Sequence, residues 1–415
     1  MKGIIIRDIQ TIETAPQGIN LLIVKVLTNE PELTGYGCAT FSYRQLAVKK
    51  VIETYLKPLL TGRDAGEIES LWQLMEQNAY WRSGPIEHCA ISGIDMALWD
   101  ILGKYAKLPL YQLLGGACRT GVQIYQHADG ATLPQVLKNV EKLAEKGLRY
   151  IRCQMGGYGG GGYGKAPVSA PHGSSDGVYT DASRYMCDTL KMFEGLKEHF
   201  ADLHFCHDVH GRLSPAQAMA FARKLEPFEL FFLEDPVTTE NLDWLMQLRA
   251  HTSVPLAQGE LFNHPGHWMN CVQNRYIDYI RAHIAQLGGI TPARKLQAFC
   301  ELHGVRIAWH APGDQSALGH AAAIHFDMSS PNFGIQEWSG TEPPNGILQK
   351  ISIDPAAYEA VFPVMPRYEN GYVYPSDLPG LGVMVDEEAA RRYPCTHDTT
   401  LWTQTRQVDG SLIYP

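Results

Sequence analysis

The amino-acid sequence predicts an α/β protein, namely a (β/α)8-type barrel with an N-terminal α+β capping domain that the C-terminal tail completes. Three observations support this fold class. β-like runs alternate with helical segments in the middle of the chain, the first part instead has strands followed by helices, and the last part is rich in Pro, Gly and Tyr. Regular βα alternation is typical of a parallel sheet, and eight repeats match a barrel of this type.

The first 116 residues favour the capping domain. Two β-like runs occupy 4–14 and 20–29, and helical patterns follow at 43–60, 67–78 and 86–105. Strands followed by a group of helices indicate a small α+β unit, which ends near LPLYQLLGG. We therefore predict a capping domain at 1–116, a barrel with the metal site at 117–355, and a C-terminal segment at 356–415 that packs on the cap.

The barrel strands are predicted from eight β-like runs. These lie at 122–127, 150–155, 203–210, 230–235, 254–260, 277–284, 305–310 and 333–338. Helical patterns separate them, although the fifth gap, FNHPGHWMNCVQNR, is a weak helix candidate. Because such barrels carry their functional groups at the C-terminal ends of the strands, we expect the site there.

Composition and charge argue against several function classes. Of the 415 residues, 45% are hydrophobic and 19% are charged, as in an ordinary globular protein, and the formal net charge is −9. This acidic balance argues against a general binder of nucleic acid or anionic membranes. No apolar run is long enough for a bilayer span or a signal-peptide core, and the nine cysteines never form CxxC. We therefore expect a cytoplasmic protein with reduced thiols.

Residues 156–164 read GGYGGGGYG, which contains the G-x-G-x-x-G spacing of a dinucleotide loop after a predicted strand. The residues that follow, KAPVSAPHG, are unsuited to open a helix, and the dinucleotide fingerprint requires one. The favoured interpretation is a loop over the barrel mouth, because a run of glycine has large conformational freedom.

Ionisable residues end nearly every predicted strand. They are His127, Arg152, Asp208, His210, Glu234, Glu260, Arg281, His283, His310, Asp314 and Glu337. Solvent exposure alone also places polar residues at strand ends, so each single position is a weak signal. The recurrence of a carboxylate on three consecutive strands is stronger, because Asp208, Glu234 and Glu260 are 26 residues apart in each step.

One βα unit per step places these three carboxylates on neighbouring strands at one height. Carboxylates that lie so close repel one another unless a cation lies between them. Oxygen ligands without a thiolate select a hard ion, so we predict Mg²⁺ bound by Asp208, Glu234 and Glu260. The alternative is that these side chains cap helices or form ion pairs.

A dication held by three carboxylates suits a substrate that is itself a carboxylate. The ion would neutralise the acid and stabilise the enediolate that forms when the α-proton is removed. Elimination of water then needs a base for this proton and an acid for the departing hydroxyl. Candidates on opposite sides of the site are Tyr163, after the second strand, and His210, after the third.

The sequence resembles the enolase superfamily over essentially its whole length. Residues 91–116, ISGIDMALWDILGKYAKLPLYQLLGG, are similar to the stretch that leads into the barrel of that superfamily. HDVHGRL, FLEDP and QGELFN resemble its D-mannonate dehydratase branch, also called the starvation-sensing or galactonate-dehydratase-like group. Barrel sites of this superfamily combine Mg²⁺ with a base.

The resemblance implies a role for each strand-end residue and a homo-oligomer. It implies Asp208, Glu234 and Glu260 as Mg²⁺ ligands, Tyr163 assisted by Arg152 as the base, and His210 as the acid. A guanidinium beside a phenol favours phenolate, and histidine supplies a proton near neutral pH. The positions that the resemblance places against a sugar acid are Ser42, His127, Glu260, Arg281, His310, Asp314 and Glu337.

Other interpretations of single residues stay open. Arg152 also fits a strand-end ion pair and His310 a hydrogen-bonded core histidine, while His207 and His283 are interpreted as structural. The end of the second strand, YIRCQ, lacks the K-x-K of lysine-based racemases, which disfavours racemisation of the mandelate type.

The sequence departs from the family pattern in two places. The segment from Arg152 to Tyr163 is one residue shorter, so Tyr158 competes with Tyr163 for the position of the base. Ser42 stands where the branch commonly has an asparagine that touches substrate. Because rate depends steeply on placement, these departures predict weak or undetectable activity.

Three functions are compatible with these residues. The first is Mg²⁺-dependent dehydration of a six-carbon sugar acid, such as D-mannonate or D-gluconate, to its 2-keto-3-deoxy product. The second is an epimerase or racemase that uses the same enolate without loss of water. The third is a metal-containing sugar-acid binding or regulatory protein that has lost turnover. Formation of a 2-keto acid distinguishes the first function from the other two.

Overall fold

The structure is a computed structural model, and it describes residues 1–156, 163–339, 355–397 and 404–414, with the side chain of Tyr163 excepted. Most of the glycine-rich run, including Tyr158, therefore lies outside the described residues. In the described part of the chain, no helix combines the length and the apolar character of a membrane span. All nine cysteines lie within the described residues as free thiols.

The N-terminal unit is an antiparallel sheet covered by helices. Its strands are β1 (Ile6–Thr14), β2 (Leu21–Thr28) and β3 (Gly35–Cys38), of which the third was not predicted. Its helices are α1 (Gln45–Val51), a π-helical turn (Ile52–Leu56), α2 (Lys57–Leu60), α3 (Ile68–Glu76), α4 (Pro85–Ala106) and α5 (Leu110–Leu113).

Glycine lets the edge of this sheet lie directly on helix α4. A Cβ at Gly35 would be 2.1 Å from the carbonyl oxygen of Ala97, and a Cβ at Gly37 equally close to that of Gly93. No larger side chain fits such an approach. The short β3 therefore packs against α4 by its backbone, which explains why a β-propensity pattern did not find it.

Within the described residues, eight parallel strands form the barrel in chain order. Two short strands, β6 (Tyr163–Gly164) and β7 (Gly177–Thr180), lie in the chain between the second and the third barrel strand. The barrel strands are β4 (Val122–Gly130), β5 (Tyr150–Met155), β8 (His204–Asp208), β9 (Phe232–Glu234), β10 (Leu256–Gln258), β11 (Tyr279–Ile280), β12 (Arg306–Ile307) and β13 (Gln336–Glu337).

Backbone pairing joins the two ends of this strand series. β13 pairs with β4, so the last strand lies beside the first. On the other side, the Ile307 N–H donates to Asn332 at 2.9 Å and the Gly334 N–H donates to Ile307 at 2.8 Å. These bonds connect β12 to the segment that enters β13, and the predicted (β/α)8 barrel is confirmed.

The barrel interior is filled by side chains, with large and small residues alternating around the ring. The aromatic members are Tyr125, Phe232 and Tyr279, and the small ones are Cys206, Ala257 and Ala308, with Ile335 from the approach to β13. This alternation fills the narrow lumen at the density of a protein interior. The filled core forms a floor beneath the strand ends.

Helices cover the outside of the barrel as predicted. The fifth gap between the strands, which was a weak helix candidate, also contains a helix, Pro265–Gln273. The capping box of the third barrel helix, formed by Ser214 and Gln217, fits the sequence SPAQ that opens it. The helices are α6 (Leu133–Glu145), α7 (Ala182–His199), α8 (Pro215–Leu225), α9 (Asp243–His251), α10 (Pro265–Gln273), α11 (Ile284–Leu287), α12 (Ile290–His303) and α13 (Ala317–Ser329), with 3-10 turns at Glu226–Phe228 and Thr239–Asn241.

Helix α4 of the cap docks on the barrel through the start of α12. The buried Asp95 carboxylate accepts the Thr291 N–H at 2.9 Å and the Thr291 hydroxyl at 2.5 Å. The carboxylate thus caps a helix of the other domain and favours its positive N-terminal end. Trp99 adds a hydrogen bond from its indole N–H to the Thr291 hydroxyl at 2.9 Å.

The C-terminal segment completes the cap and also adds to the barrel. Glu387 accepts hydrogen bonds from Lys25 at 2.6 Å and Tyr36 at 2.8 Å, both on the cap sheet. β15 pairs antiparallel with the start of β4, and β16 pairs with β7. The elements of this segment are α14 (Pro355–Val361), β14 (Arg367–Glu369), β15 (Tyr372–Tyr374), α15 (Glu387–Ala390) and β16 (Thr405–Gln407).

His325 on α13 connects the C-terminal segment to the cap. It is fully buried, with Nε2 3.2 Å from the Leu381 carbonyl and Nδ1 accepting the Tyr111 N–H at 3.3 Å. Burial lowers its pKa to about 4. The neutral imidazole satisfies both neighbours, whereas a protonated ring could no longer accept from Tyr111.

We expect His325 to make the fold sensitive to acid. Because its pKa is about 4 in the folded state and near the ordinary 6.5 in the unfolded state, its contribution is complete above pH 6.5 and lost as pH falls toward 4. The loss for one such histidine is of order 3 kcal/mol. His325→Gln should lower stability at pH 7.5 and reduce the further loss at pH 5, measured by denaturant midpoints. The exposed His251→Gln is the control, and equal pH dependence of His325→Gln and wild type would contradict the assignment.

Candidate active site

Three acidic side chains lie at the C-terminal ends of adjacent strands, as the sequence predicts. Asp208 is the last residue of β8, Glu234 is the last of β9, and Glu260 follows the end of β10 by two residues. Asp208 and Glu234 are direct register partners, and all three residues are largely shielded from solvent. Parallel pairing therefore brings the carboxylates to one edge of the barrel.

His210 joins this group because the backbone turns back after β8. Its φ is +58°, a left-handed conformation that is uncommon for residues other than glycine. The His210 N–H donates to Asp208 Oδ1 at 2.8 Å, which stabilises the turn. Among the described residues, one ligand atom each from Asp208, His210 and Glu260 lies within 4.8 Å of the other two. Strain of this kind is common where a functional side chain must be aimed.

Glu260 lies between two histidines. His210 Nε2 is 3.2 Å from its Oε1, and His310 Nε2 is 3.3 Å from its Oε2. Burial alone raises the pKa of Glu260, but His210 and His310 outweigh it and bring the pKa to about 2. Burial likewise lowers the pKa of His210, but Glu260 and Asp208 outweigh it and leave the pKa raised. The contact therefore favours the ionised form of Glu260 and the protonated form of His210.

Arg281 is a buried cation that binds Glu234. Its side chain is 1% exposed, and the guanidinium carbon lies 5.5 Å from the Tyr125 ring and 5.9 Å from the Phe232 ring. Nε donates to Glu234 at 2.6 Å and Nη2 donates to Glu337 at 2.7 Å. Nη1 donates to the backbone carbonyls of Ala308, at 2.8 Å, and Trp309, at 2.9 Å, which follow β12. Most donors of this predicted substrate-binding arginine are thus already bound to protein.

Glu234 has one oxygen that the protein leaves unbound. Oε1 accepts from Arg281, whereas Oε2 is buried and has no hydrogen-bond partner among the described residues. Burial, together with the negative charges of Asp208 and Glu260, raises the pKa of Glu234 to about 8 despite the nearby guanidinium of Arg281. Clustered carboxylates with a buried free oxygen fit a hard divalent cation, which would replace the proton.

Glu337 on β13 and His127 on the adjacent β4 are in direct contact. His127 Nε2 is 2.6 Å from Glu337 Oε1, while Oε2 accepts from Arg281 and from the Ala311 N–H. Burial raises the pKa of Glu337, but Arg281 and His310 outweigh it and hold the pKa well below its usual range. The structure therefore places these predicted sugar-acid contacts on one connected network.

Arg152 on β5 lies beside Asp208, the predicted metal ligand on the adjacent β8. Its Nη1 is 3.2 Å from Asp208 Oδ2, and its Nη2 is 3.7 Å from Asp129 Oδ2. The guanidinium is thus buried between two carboxylates at the end of β5. This position agrees both with the predicted helper of a base and with the alternative of a strand-end ion pair.

The cap reaches the barrel mouth through Ser42. Its hydroxyl donates to Asp314 Oδ2 at 2.7 Å, while Asp314 Oδ1 is buried and has no hydrogen-bond partner within the described ranges. Burial raises the pKa of Asp314. Ser42 and Asp314 are both predicted substrate contacts, and the structure brings them into direct contact across the two domains.

Tyr163 begins β6, whose backbone pairs with β7, but its side chain lies outside the described part. The competing Tyr158 is also outside it. The choice between the two phenols therefore stays a prediction.

Two buried carboxyl groups near the site were not predicted. Asp129 was missed because β4 continues to Gly130, beyond the predicted end at residue 127. Asp235 follows Glu234 with φ +38° and accepts the Gly259 N–H at 3.3 Å. Burial raises the pKa of both groups. The motif LEDP could have indicated Asp235, since it places two acids, Glu234 and Asp235, at the end of one strand.

The two histidines interpreted as structural are both buried. His207 Nδ1 lies 2.9 Å from the Cys153 carbonyl and its Nε2 lies 2.7 Å from the Tyr185 hydroxyl. Burial lowers its pKa to about 4. His283 packs against His310 at a ring separation of 5.5 Å, and burial lowers its pKa to about 3. Neutral rings fit a structural role.

A cap on a parallel barrel, with acids from three successive strands, defines an enolase-type site. Sequence profiles agree with this class. Residues 5–115 match the mandelate racemase / muconate lactonizing enzyme N-terminal domain, and residues 135–389 match the enolase C-terminal domain-like family.

Curated relatives narrow the class further. A D-galactonate dehydratase family member of Enterocloster bolteae is 48% identical over 417 residues, and one of Musicola paradisiaca is 45% identical over 430 residues. Each alignment covers 100% of both chains. The chain belongs to the D-galactonate dehydratase family of the enolase superfamily, so the expected superfamily and dehydratase class are confirmed.

Solved structures agree with the fold. The crystal structure of an enolase from Pantoea ananatis with bound D-gluconate and Mg is 44% identical, covers 100% of both chains and has a TM-score of 0.93. An enolase from Agrobacterium radiobacter, 24% identical with a TM-score of 0.81 over 95% of this chain and 96% of the other, shows the same fold.

We expect Glu234→Gln to weaken Mg²⁺ binding by about 100-fold or more, since changes one shell beyond the ligands already cost about 10- to 100-fold. The amide keeps the shape but removes the charge that faces the ion. Calorimetry without substrate measures the affinity, with the exposed Glu240→Gln as the matched control. Unchanged affinity would show that Asp208, His210 and Glu260 hold the ion without Glu234.

Proposed function

We propose that this protein is a Mg²⁺-dependent dehydratase that converts a six-carbon sugar acid of the D-gluconate or D-mannonate type to the 2-keto-3-deoxy acid. The observation that carries the proposal is the cluster of Asp208, His210 and Glu260 at the strand ends. Glu234 is not a member of this cluster among the described residues, but it is the register partner of Asp208 on the adjacent strand. The relative from Pantoea ananatis, with D-gluconate and Mg bound in the same fold, supports both the ion and the substrate class.

Asp208, Glu234 and Glu260 would hold the ion. The buried, unpartnered Oε2 of Glu234 and the anionic Glu260 fit this role, since hard cations prefer carboxylate oxygens. When bound, Mg²⁺ supplies positive charge that stabilises the anionic substrate as its α-proton is lost. Arg281 keeps Glu234 in place and aims its free oxygen.

His210 and Tyr163 would move the protons. His210, whose pKa is raised mainly by Glu260, could donate a proton to the departing hydroxyl group. Tyr163, with Arg152 lowering the cost of the phenolate, would accept the α-proton from the other side. His127, His310, Asp314 and Glu337 would bind the hydroxyl groups of the sugar chain, and Ser42 would contribute from the cap.

Membership of the D-galactonate dehydratase family favours dehydration over epimerisation. In a dehydratase His210 would protonate the departing hydroxyl, whereas in an epimerase the same acid would return a proton to the opposite face of the α-carbon. The other candidate is a sugar-acid binding or regulatory protein, which the replacement of the expected asparagine by Ser42 favours. Binding of a sugar acid without turnover of any tested acid would support that candidate.

A panel of sugar acids with Mg²⁺ tests the reaction. We expect D-gluconate or D-mannonate to give a 2-keto acid, detected with semicarbazide, and chelation of the ion to abolish it. Proton exchange at the α-carbon in deuterated water without any ketone would instead indicate an epimerase. Binding measured by calorimetry, with neither exchange nor ketone, would indicate a protein without turnover.

Tyrosine substitutions identify the base. We expect Tyr163→Phe to reduce kcat by about 100-fold or more while Mg²⁺ affinity is unchanged, because only the proton acceptor is lost. Tyr158→Phe is the matched control on the same glycine-rich run. If Tyr158→Phe alone stops turnover, the base is Tyr158, and if neither does, the base is another group.

A further inference from the structure

The short strand that carries Tyr163 has little support of its own. β6 consists of two residues, and its pairs are Tyr163 with Val178 and Gly164 with Gly177. A two-stranded pairing of this length is marginal in water. Something besides β7 must therefore hold the backbone of Tyr163 in place.

The last strand of the chain supplies a third member of this sheet. β16 pairs in parallel with β7 through Thr405 with Val178, Arg406 with Tyr179 and Gln407 with Thr180. The sheet order is β16-β7-β6, so β7 lies between the C-terminal strand and the strand of Tyr163. Thr405 is 0% exposed although it lies within the last residues of the chain.

The C-terminal strand is itself reinforced. The Gln407 N–H donates to Ser411 at 2.8 Å and the Ile413 N–H donates to Thr405 at 3.0 Å, which folds residues 405–413 into a hairpin. Arg406 Nη1 donates to the Gly410 carbonyl at 2.9 Å and stabilises the turn. Since Gln407 and Thr405 face the returning segment, the backbone groups of Arg406 face β7.

The other end of β7 is anchored near Asp208. Thr180 is followed by Asp181, whose carboxylate caps α7 by accepting two backbone N–H groups. On the first turn of this helix, the Tyr185 hydroxyl lies 2.7 Å from His207 Nε2 and 3.5 Å from the Asp208 carbonyl. β7 is therefore fixed relative to a metal candidate on one side and stiffened by β16 on the other.

We infer that the C-terminal hairpin, residues 405–413, is a positioning element of the active site that holds the strand of Tyr163 in register with the metal ligands. The inference rests on the proposed role of Tyr163 as the base. It assigns to the end of the chain a task in catalysis that is separate from completing the cap. Small displacements of a base cost large factors in rate, so a loose β6 would lower kcat.

Arg406→Pro is the direct test, because proline removes the N–H that faces β7. We expect amide hydrogen exchange of residues 163, 164 and 177–180 to become faster by about tenfold or more, with β8 unchanged. With D-gluconate and D-mannonate as probes, kcat should fall by about tenfold or more while KM and the Mg²⁺ affinity measured without substrate stay within about threefold.

Two controls separate the possible causes. Arg406→Ala loses the side-chain bond to Gly410 but keeps the N–H, and Gln407→Ala changes an exposed side chain only, so both should keep most of the turnover. A chain that ends at residue 403 should reproduce the exchange pattern of Arg406→Pro if that variant fails to fold. Unchanged amide exchange at residues 163 and 177–180 in the proline variant or the shortened chain would overturn the inference, whether or not turnover is detectable.

The proposed function and this inference can fail separately. If Tyr163→Phe turns over normally, the base assignment fails, and amide exchange still decides whether the hairpin holds β6. If Tyr163→Phe is inactive while Arg406→Pro has wild-type kcat, the base assignment stands and the positioning role is wrong.

Discussion

The site depends on one buried cation, the guanidinium of Arg281. It lies on the aromatic side chains that fill the barrel and binds Glu234 and Glu337 from two different strands. Without it, Glu234 would lose the partner of its Oε1, and Glu337 would keep only His127 and the Ala311 N–H. A buried carboxylate without a partner is strongly unfavourable. Glu337 also contacts His127, and Glu234 is the register partner of Asp208. This single side chain therefore connects the predicted sugar-acid contacts to the predicted metal ligands.

The repetitive parts of the molecule could be predicted from the sequence. The βα rhythm predicted the barrel, and the equal spacing of Asp208, Glu234 and Glu260 predicted that they would lie at the ends of adjacent strands, since one βα unit moves the chain by one strand. Both are properties of periodicity. The resemblance to the enolase superfamily added the roles of single residues, which periodicity alone does not contain.

The parts that were not predicted depend on contacts between distant segments. β3 is held by backbone packing of Gly35 and Gly37 on α4, and β16 by pairing with a strand more than two hundred residues earlier in the chain. The position of His210 depends on a left-handed backbone turn, and the saturation of Arg281 depends on groups from three strands. No local pattern of residue types encodes such contacts, because each partner is ordinary in its own sequence context.

The sheet formed by β6, β7 and β16 has a consequence for the order in which the molecule is made. During synthesis the ribosome releases the three acids and the barrel strands long before residues 405–407 emerge. Until then, β7 has an unpaired outer edge. A nascent chain can therefore pair its barrel strands before residues 405–407 are translated, whereas the outer edge of β7 is covered only afterwards. A chain cut short before residue 405 would leave this edge of β7 open to pairing with other strands.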